Sequence, residues 1–274
     1  MPVRHSFWKT LTGTFGIAVM LLLASAGSAM ASATVRFVHA VPGAGSAQLH
    51  VSSGKASSST TAVSFGTAST PLEVPGGSAQ LVLEPAGGGK AQATLKHALV
   101  DGARYTVVAI PKQSGKGASL SVFEDGKPRP GKARLRMIHA TPELGNPDVK
   151  VDDRIIAAAL KYGDATDYAS VPPGNHDIAI ARPRSKAPPL VEKKGVPLTA
   201  GTSTTAIVLG SRGEQTRIVT LSDGTAAPKG APATGLGGLA GPGDGAPSRW
   251  LIGLMAALAA AALGAGCWTL AGRR

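Results

Sequence analysis

One stretch occurs twice in the chain: Val35-Arg36-Phe37-Val38-His39-Ala40-Val41-Pro42 returns as Leu135-Arg136-Met137-Ile138-His139-Ala140-Thr141-Pro142, 100 positions later. That spacing exceeds the ~20–50 residues of solenoid units and is close to the size of a small all-β domain, so the chain reads as a tandem pair. Each copy alternates an apolar face (Val35, Phe37, His39; Leu135, Met137, His139) with a second face carrying Arg36 or Arg136, and a proline ends the run. A period of two closed by proline is the pattern of an opening strand.

Further landmarks keep the same order in both halves. Ala47-Gln48-Leu49-His50-Val51 corresponds to Pro147-Asp148-Val149-Lys150-Val151, and Phe65-Gly66 to Tyr162-Gly163. Val74-Pro75-Gly76-Gly77 corresponds to Val171-Pro172-Pro173-Gly174, with the offset shortened by a Ser/Thr-rich loop at Ser57 to Thr61 in the first half. The Pro-Gly pieces signal turns, since proline fixes one φ and glycine tolerates the positive φ that follows. Alternating strands are predicted over 79–83 and 176–180, and runs apolar on both faces at 105–110 and 205–209 suit interior strands. Asp125-Gly126 and Asp223-Gly224 read as closing turns. The segment from Asp152 to Tyr162 fits either one short helix or a bulged strand.

Six or seven short strands per unit, with glycine (36) and proline (20) frequent and aromatics only 4% of the chain, predict an all-β fold. The expected architecture is two tandem β-sandwich (Ig-like or transthyretin-like) domains at 34–131 and 132–228. Each has its own set of strand signals, so a fragment ending near Gly131 is expected to be soluble and folded by itself.

The two ends of the chain read differently. Residues 1–33 have the three parts of a secretory signal: basic Arg4, His5 and Lys9, an apolar middle from Phe15 to Ala24, and small-x-small sites for cleavage after Ala31 or Ala33. Residues 229–249 form an Ala/Gly/Pro-rich linker. Residues 250–270 carry no charge and match the ~20 residues of a transmembrane helix, and 271–274 end in Arg273 and Arg274, a basic cytoplasmic tail. The expectation is an exported protein held in the cell membrane with its domains outside. Within the linker, Ala231-Pro232-Ala233-Thr234-Gly235 resembles the Leu-Pro-x-Thr-Gly signal that sortases cut between Thr and Gly, which would make a sortase a partner and the cell wall the final anchor. Ala231 stands where leucine is usual, and the gap to Trp250 is longer than in such signals. Tethering by the helix is therefore the preferred alternative.

The formal charge of +12 shrinks once the ends are set aside. Arg4, Lys9, Arg249, Arg273 and Arg274 belong to leader and anchor, which leaves 23 basic residues against 16 acidic ones. They are scattered, without a basic cluster interleaved with aromatics, so nucleic acid is not expected as a partner and weak attraction to an anionic envelope is. The single cysteine, Cys267, lies in the apolar run, so packing alone must hold the domains.

Candidate chemistry is sparse. His39 and His139 could serve as metal ligands or bases, but neither has a second ligand at suitable spacing on its strand, so the expectation is a histidine bonded to backbone. Asp148, Asp152, Asp153, Asp164 and Asp167 do not match a calcium loop, and Gly87-Gly88-Gly89-Lys90 lacks the full phosphate-loop spacing. No nucleophile elbow is present. No catalytic, cofactor-binding or metal residue is assigned, and no cofactor is expected.

The paired pieces "VRFVHAVPG" and "LRMIHATPE", "AQLHV" and "DVKVD", "FGTAS" and "YGDAT", "LEVPGG" and "ASVPPG", with the late "YTVVAI", resemble the bacterial extracellular domain of unknown function DUF4397, in two copies between Thr34 and Pro228. The resemblance implies secreted or surface-bound tandem domains and brings no catalytic residues with it. The functional expectation is a non-enzymatic surface protein acting as spacer, adhesion or envelope-binding module, with cell-wall polymer or a surface glycan or protein as partner. The alternative is a small-ligand receptor or enzyme whose site is built from loops of both domains.

Overall fold

The computed structural model describes residues 32–114, 116–211 and 214–226. Most of the leader, the linker at 229–249, the sorting-like motif at 231–235, the apolar run at 250–270 and the tail lie outside the described residues. Among the described residues no helix is long and apolar enough to cross a membrane.

The architecture is all-β, in two groups of two four-stranded sheets. In the first repeat, β1 (Ser32–His39), β4 (Leu72–Pro75), β7 (Arg104–Pro111) and β8 (Ala118–Glu124) form one sheet in the order β4-β1-β7-β8. The facing sheet, in the order β3-β2-β5-β6, holds β2 (Ala47–Ser53), β3 (Ala56–Ser59), β5 (Gly77–Pro85) and β6 (Ala93–Leu99). The second repeat copies this plan. Its β9 (Ala133–His139), β12 (Ala169–Val171), β15 (Thr202–Ser211) and β16 (Glu214–Thr225) make the sheet β12-β9-β15-β16. Opposite lies β11-β10-β13-β14, from β10 (Asp148–Val151), β11 (Arg154–Ala157), β13 (Gly174–Ala181) and β14 (Val191–Leu198).

The duplicated stretch is the opening strand of each repeat, and its alternation sets the packing. Val35 and Phe37 point into a core with Leu49, Val51, Leu81, Leu83 and Val107, while Leu135 and Met137 meet Val149, Ile178, Ile180 and Val208 in the second. Burying a side chain of this size contributes roughly 1.5–3 kcal/mol, so each repeat has a core of its own. β1 runs parallel to β7, and β9 to β15. β1 and β7 thus finish at one end of their sheet and β9 and β15 at one end of theirs, and Ala40 and Ile110, packed with Ala140 and Leu209, put the two ends side by side.

Two local differences from the sequence reading, and one alternative that it left open, have physical causes. Eight strands per repeat are described rather than six or seven, because short edge strands such as β3 carry little apolar signal. The Ser/Thr-rich stretch supplies β3, where His50 bridges the hydroxyls of Ser57 and Ser59 at 2.8 Å each across the β2–β3 pair. The segment after Asp152 takes the second of its two expected forms, a strand, β11, with an irregular register against β10 at Val149/Lys150. Finally, Asp125-Gly126 and Asp223-Gly224 are not simple turns: Gly224 and Asp223 lie within β16, and both aspartates are buried.

A third cluster lies between the repeats. Val38, Ala40, Val108 and Ile110 on the outer face of the first sheet pack with Ile138, Ala140, Ile207 and Leu209 on the outer face of its counterpart. This explains why 105–110 and 205–209 are apolar on both faces: one face meets the strand's own sandwich, the other meets the sister repeat. The described repeats belong to one compact unit.

Candidate functional site

The second face of the opening strands carries the polar residues that the third cluster encloses. The Arg36 Nη2 lies 2.6 Å from the Asp223 carboxylate and 3.5 Å from that of Asp125, and its Nη1 donates to the Ser222 carbonyl at 2.7 Å. Arg136 pairs reciprocally with Asp125 and donates to the Glu124 carbonyl at 2.7 Å. Thr106 donates to Asp125 at 2.6 Å and Thr205 to Asp223 at 2.7 Å, while the Tyr168 hydroxyl adds a bond to Asp223 at 2.7 Å. Each arginine thus reaches the aspartate that closes the other repeat, an exchange that gives the interface a near-twofold character.

The electrostatics match burial of a neutral quartet. Side-chain exposure is 10% or less for both arginines and 3% or less for both aspartates. Burial pushes the Asp125 carboxyl above its usual range and Asp223 adds to this, against the opposing pull of Thr106, Arg36 and Arg136. Burial likewise raises the Tyr168 phenol to about 12, and its ring lies 4.8 Å from the guanidinium carbons of both Arg134 and Arg136. Gly126 must be glycine, since an added Cβ would stand 2.7 Å from the Tyr168 ring. The arrangement is a lock. Its donors and acceptors are spent on one another and on the Ser222 and Glu124 carbonyls, apart from the buried Arg36 Nε, which has no partner among the described residues.

The histidines behave as the sequence predicts in bonding to backbone. His39 and His139 are fully buried, and in each the Nε2 lies 2.8 Å from a loop carbonyl, Gly45 or Gly145. The Nδ1 accepts from the backbone N–H two residues on, Val41 at 3.3 Å and Thr141 at 3.4 Å. This fixes the tautomer with the proton on Nε2. Burial lowers both pKa values, and Phe65 and Tyr162 lie edge-on to the two rings. Both imidazoles therefore pin the loop that follows their Ala-x-Pro.

The acidic group is dispersed. Asp148 accepts from the Ala159 N–H at 2.9 Å, Asp152 pairs with His176 at 2.5 Å, and Asp164 and Asp167 are exposed elsewhere. Among the described residues, no three His, Cys, Asp or Glu side chains gather at ligand spacing. The Asp152 bond raises the His176 pKa, and the other ring nitrogen lies 2.7 Å from the Pro172 carbonyl, so both nitrogens are engaged. Gly87 to Lys90 fall in the connection between β5 and β6.

Three open concavities are of similar size. One, of about 500 Å³, lies against the second repeat's β10–β13–β14 sheet, over Ala179 and Ala181. A second, of about 510 Å³, is shared by both repeats beside the quartet, between Phe123 and Glu124 of the first and Arg134, Arg136 and Tyr168 of the second. The third, of about 410 Å³, is also shared by both repeats: Pro42, Pro111, Lys112 and Gln113 come from the first, Pro142, Glu143 and Ser211 from the second. The Tyr162 hydroxyl crosses from the second repeat to the Pro111 carbonyl beneath this cleft.

Sequence reading missed the quartet and the shared cleft. The available signal was the duplication itself: an arginine at the same place in each opening strand, an aspartate at the same place near each close, and a proline after each His-Ala.

No curated protein matches the chain. Among solved structures it is similar to the Bacillus anthracis TIE protein, at 12% identity and a TM-score of 0.23 over 66% of this chain and 34% of that one. It is also similar to a putative cell adhesion protein from Bacteroides uniformis (9% identity, TM-score 0.24, 70% and 96% of the two chains). A third is the family 26 carbohydrate-binding module of Eubacterium rectale Amy13K, in complex with maltoheptaose (12%, 0.22, 72% and 98%). The chain spans about a third of the first of these, and scores this low carry no argument about function. The family comparison is firm by contrast: the domain of unknown function DUF4397 matches twice, over 33–150 and 133–234, and the chain belongs to that family.

Proposed function

We propose that the protein is a non-catalytic surface module, held outside the cell, that presents its two fused sandwiches to an envelope or neighbouring-surface component. The observation that supports this is where the chain comes in and goes out. Ser32 starts β1, and the Thr225 end of β16 pairs with Thr202 at the start of β15. The connector after Glu124 leads to the start of β9. All of these lie at the end where β1, β7, β9 and β15 begin, because Arg36 and Arg136 bring the early parts of both repeats onto Asp125 and Asp223. A chain that leaves by its base and turns a shared tip the other way suits a pillar better than a link in a string.

Within this reading the leader is removed after Ala31, because Ala33 is fully buried and pairs with Val74, so a cut after Ala33 would strip β1 of a packed residue. The apolar segment 250–270 holds the protein in the membrane, and the Ig-like or transthyretin-like description is the closest architectural analogy for each repeat. Thr234→Ala is expected to leave most of the protein in the detergent-extracted membrane fraction. A wall digest yielding a peptide that ends at Thr234 and is joined to a cross-bridge would instead promote sortase anchoring.

The function itself is tested by binding of the purified chain to intact cells and isolated wall material. Saturable retention supports the reading, and no retention on any surface rejects it. The receptor alternative gains from one observation, that both repeats together line concavities, among them the cleft built by Pro42, Pro111 and Pro142.

A further inference from the structure

We infer that the shared cleft at the tip is a binding site for a neutral, polyhydroxylated ligand: a short segment of glycan on the envelope or on a neighbouring surface. This deepens the surface-module reading and rests on it.

Position is the first argument. β1, β7, β9 and β15 finish at this end, roughly 25 Å from their starts at ~3.3 Å per residue, so the cleft lies opposite the point where the chain leaves. Preformation is the second. The two loops that supply Pro42 and Pro142 are each pinned by a buried histidine, and the Tyr162 hydroxyl ties the second repeat to the Pro111 carbonyl. His39 and His139 are thus positioning residues for the tip, which gives the duplicated motif a purpose beyond its own strand. A site held this way loses little conformational entropy on binding. Neither repeat alone completes it.

Chemistry is the third argument. Pro42, Pro111 and Pro142 present C–H faces without N–H donors, a surface onto which the apolar face of a sugar ring packs. Around them stand an ammonium (Lys112), an amide (Gln113), a carboxylate (Glu143) and a hydroxyl (Ser211), which together donate to and accept from hydroxyl groups. Among the described lining residues one positive and one negative side chain balance, which favours a neutral ligand over an anionic polymer. The volume of about 410 Å³ is within the usual range for ligand sites.

The test titrates the full-length chain in detergent with neutral chitohexaose and maltohexaose, with heparin as the anionic comparator, by saturation-transfer NMR and calorimetry. Glu143→Gln and Gln113→Ala are exposed changes that leave both cores intact, and Arg129→Ala lies at the opposite end. Binding of a neutral oligosaccharide that falls roughly tenfold in each tip variant, the loss of about one hydrogen bond to a charged or amide group, and is unchanged in Arg129→Ala supports the proposal. Oligosaccharide binding indifferent to the tip variants overturns the site. Binding of heparin alone overturns the ligand class, as does retention on cells that neither neutral sugar competes. In those cases the surface-module reading stands, whereas it falls only if the chain is retained on no surface at all.

Discussion

The cores inside the two sandwiches and the core between them are built on opposite principles. Phe37, Leu81 and Leu83 in one repeat, and Met137, Ile178 and Ile180 in the other, pack without a charged group among them. The surface between the repeats joins eight buried apolar residues to two arginines and two aspartates. Apolar packing is non-directional, and inside each sandwich the strand ladders already fix the register. Between the repeats no ladder among the described residues does so. There the charges choose one alignment out of many that would bury similar area, at a desolvation cost that only correct pairing offsets.

Separating the repeats breaks this comparison most severely. A fragment ending at Gly131 keeps its inner core but exposes Val38, Ala40, Val108 and Ile110 and takes Arg36 away from Asp223. It should retain strand circular dichroism yet sediment as self-associated species, since the exposed face is nearly self-complementary. A stable monomer as resistant to denaturant as the intact chain would show that the shared core contributes little.

Next in size is Asp223→Ala, which leaves Arg36 buried without its closest partner. The expected cost is roughly 3–5 kcal/mol, read from urea unfolding of the intact protein, as for other broken buried pairs. A cost near that of a surface change would mean that water reaches the quartet. Replacing Arg36, Arg136, Asp125 and Asp223 together by apolar residues sharpens the point: stability should recover in part while the alignment of the repeats becomes less unique.

The histidines test the loops rather than the lock. His39→Gln or His139→Gln should cost about 1–3 kcal/mol in thermal or denaturant unfolding, the range for disturbing a buried hydrogen bond. Both imidazoles are neutral in the fold because burial lowers their pKa below 6.5. The unfolded chain takes up protons first, so their contribution is full above 6.5 and is lost as pH falls toward the folded values. His176, raised by Asp152, acts with the opposite sign: its contribution is present below 6.5 and fades as pH rises through its folded value. Stability measured from about pH 5 to pH 8 should therefore fall more steeply with acid in His176→Ala than in the parent. An unchanged slope would dissolve the assignment.

The smallest expected effect is Ile138→Val, one methylene from the surface between the repeats, at about 0.5–1.5 kcal/mol. Ile180→Val, inside the second sandwich, should cost the same. Equal values would place the difference between the two cores in their charges, and unequal ones in their packing.

The sequence alone determined what depends on neighbours along the chain. Alternation over Val35 to His39 and Leu135 to His139 fixed two strands and their inner faces, the interval of 100 fixed the tandem plan, and the scarcity of helical period fixed the all-β class. It also pointed to His39 and His139 as backbone-bonded residues. What it left open depends on distance in space rather than in sequence. The stretch that supplies β3 read as a loop and β11 stayed open between helix and strand, because a short edge strand buries too little on either face to leave a pattern. Arg36 could be placed only on the second face of its strand, since alternation tells which face a side chain takes but not what covers that face. Asp223, 187 positions away, is what covers it, and only the docking of the two repeats brings the pair together. The tip cleft has the same origin: Pro42 and Pro142 each follow the opening strand of their own repeat, and they become walls of one site only when the folded halves meet.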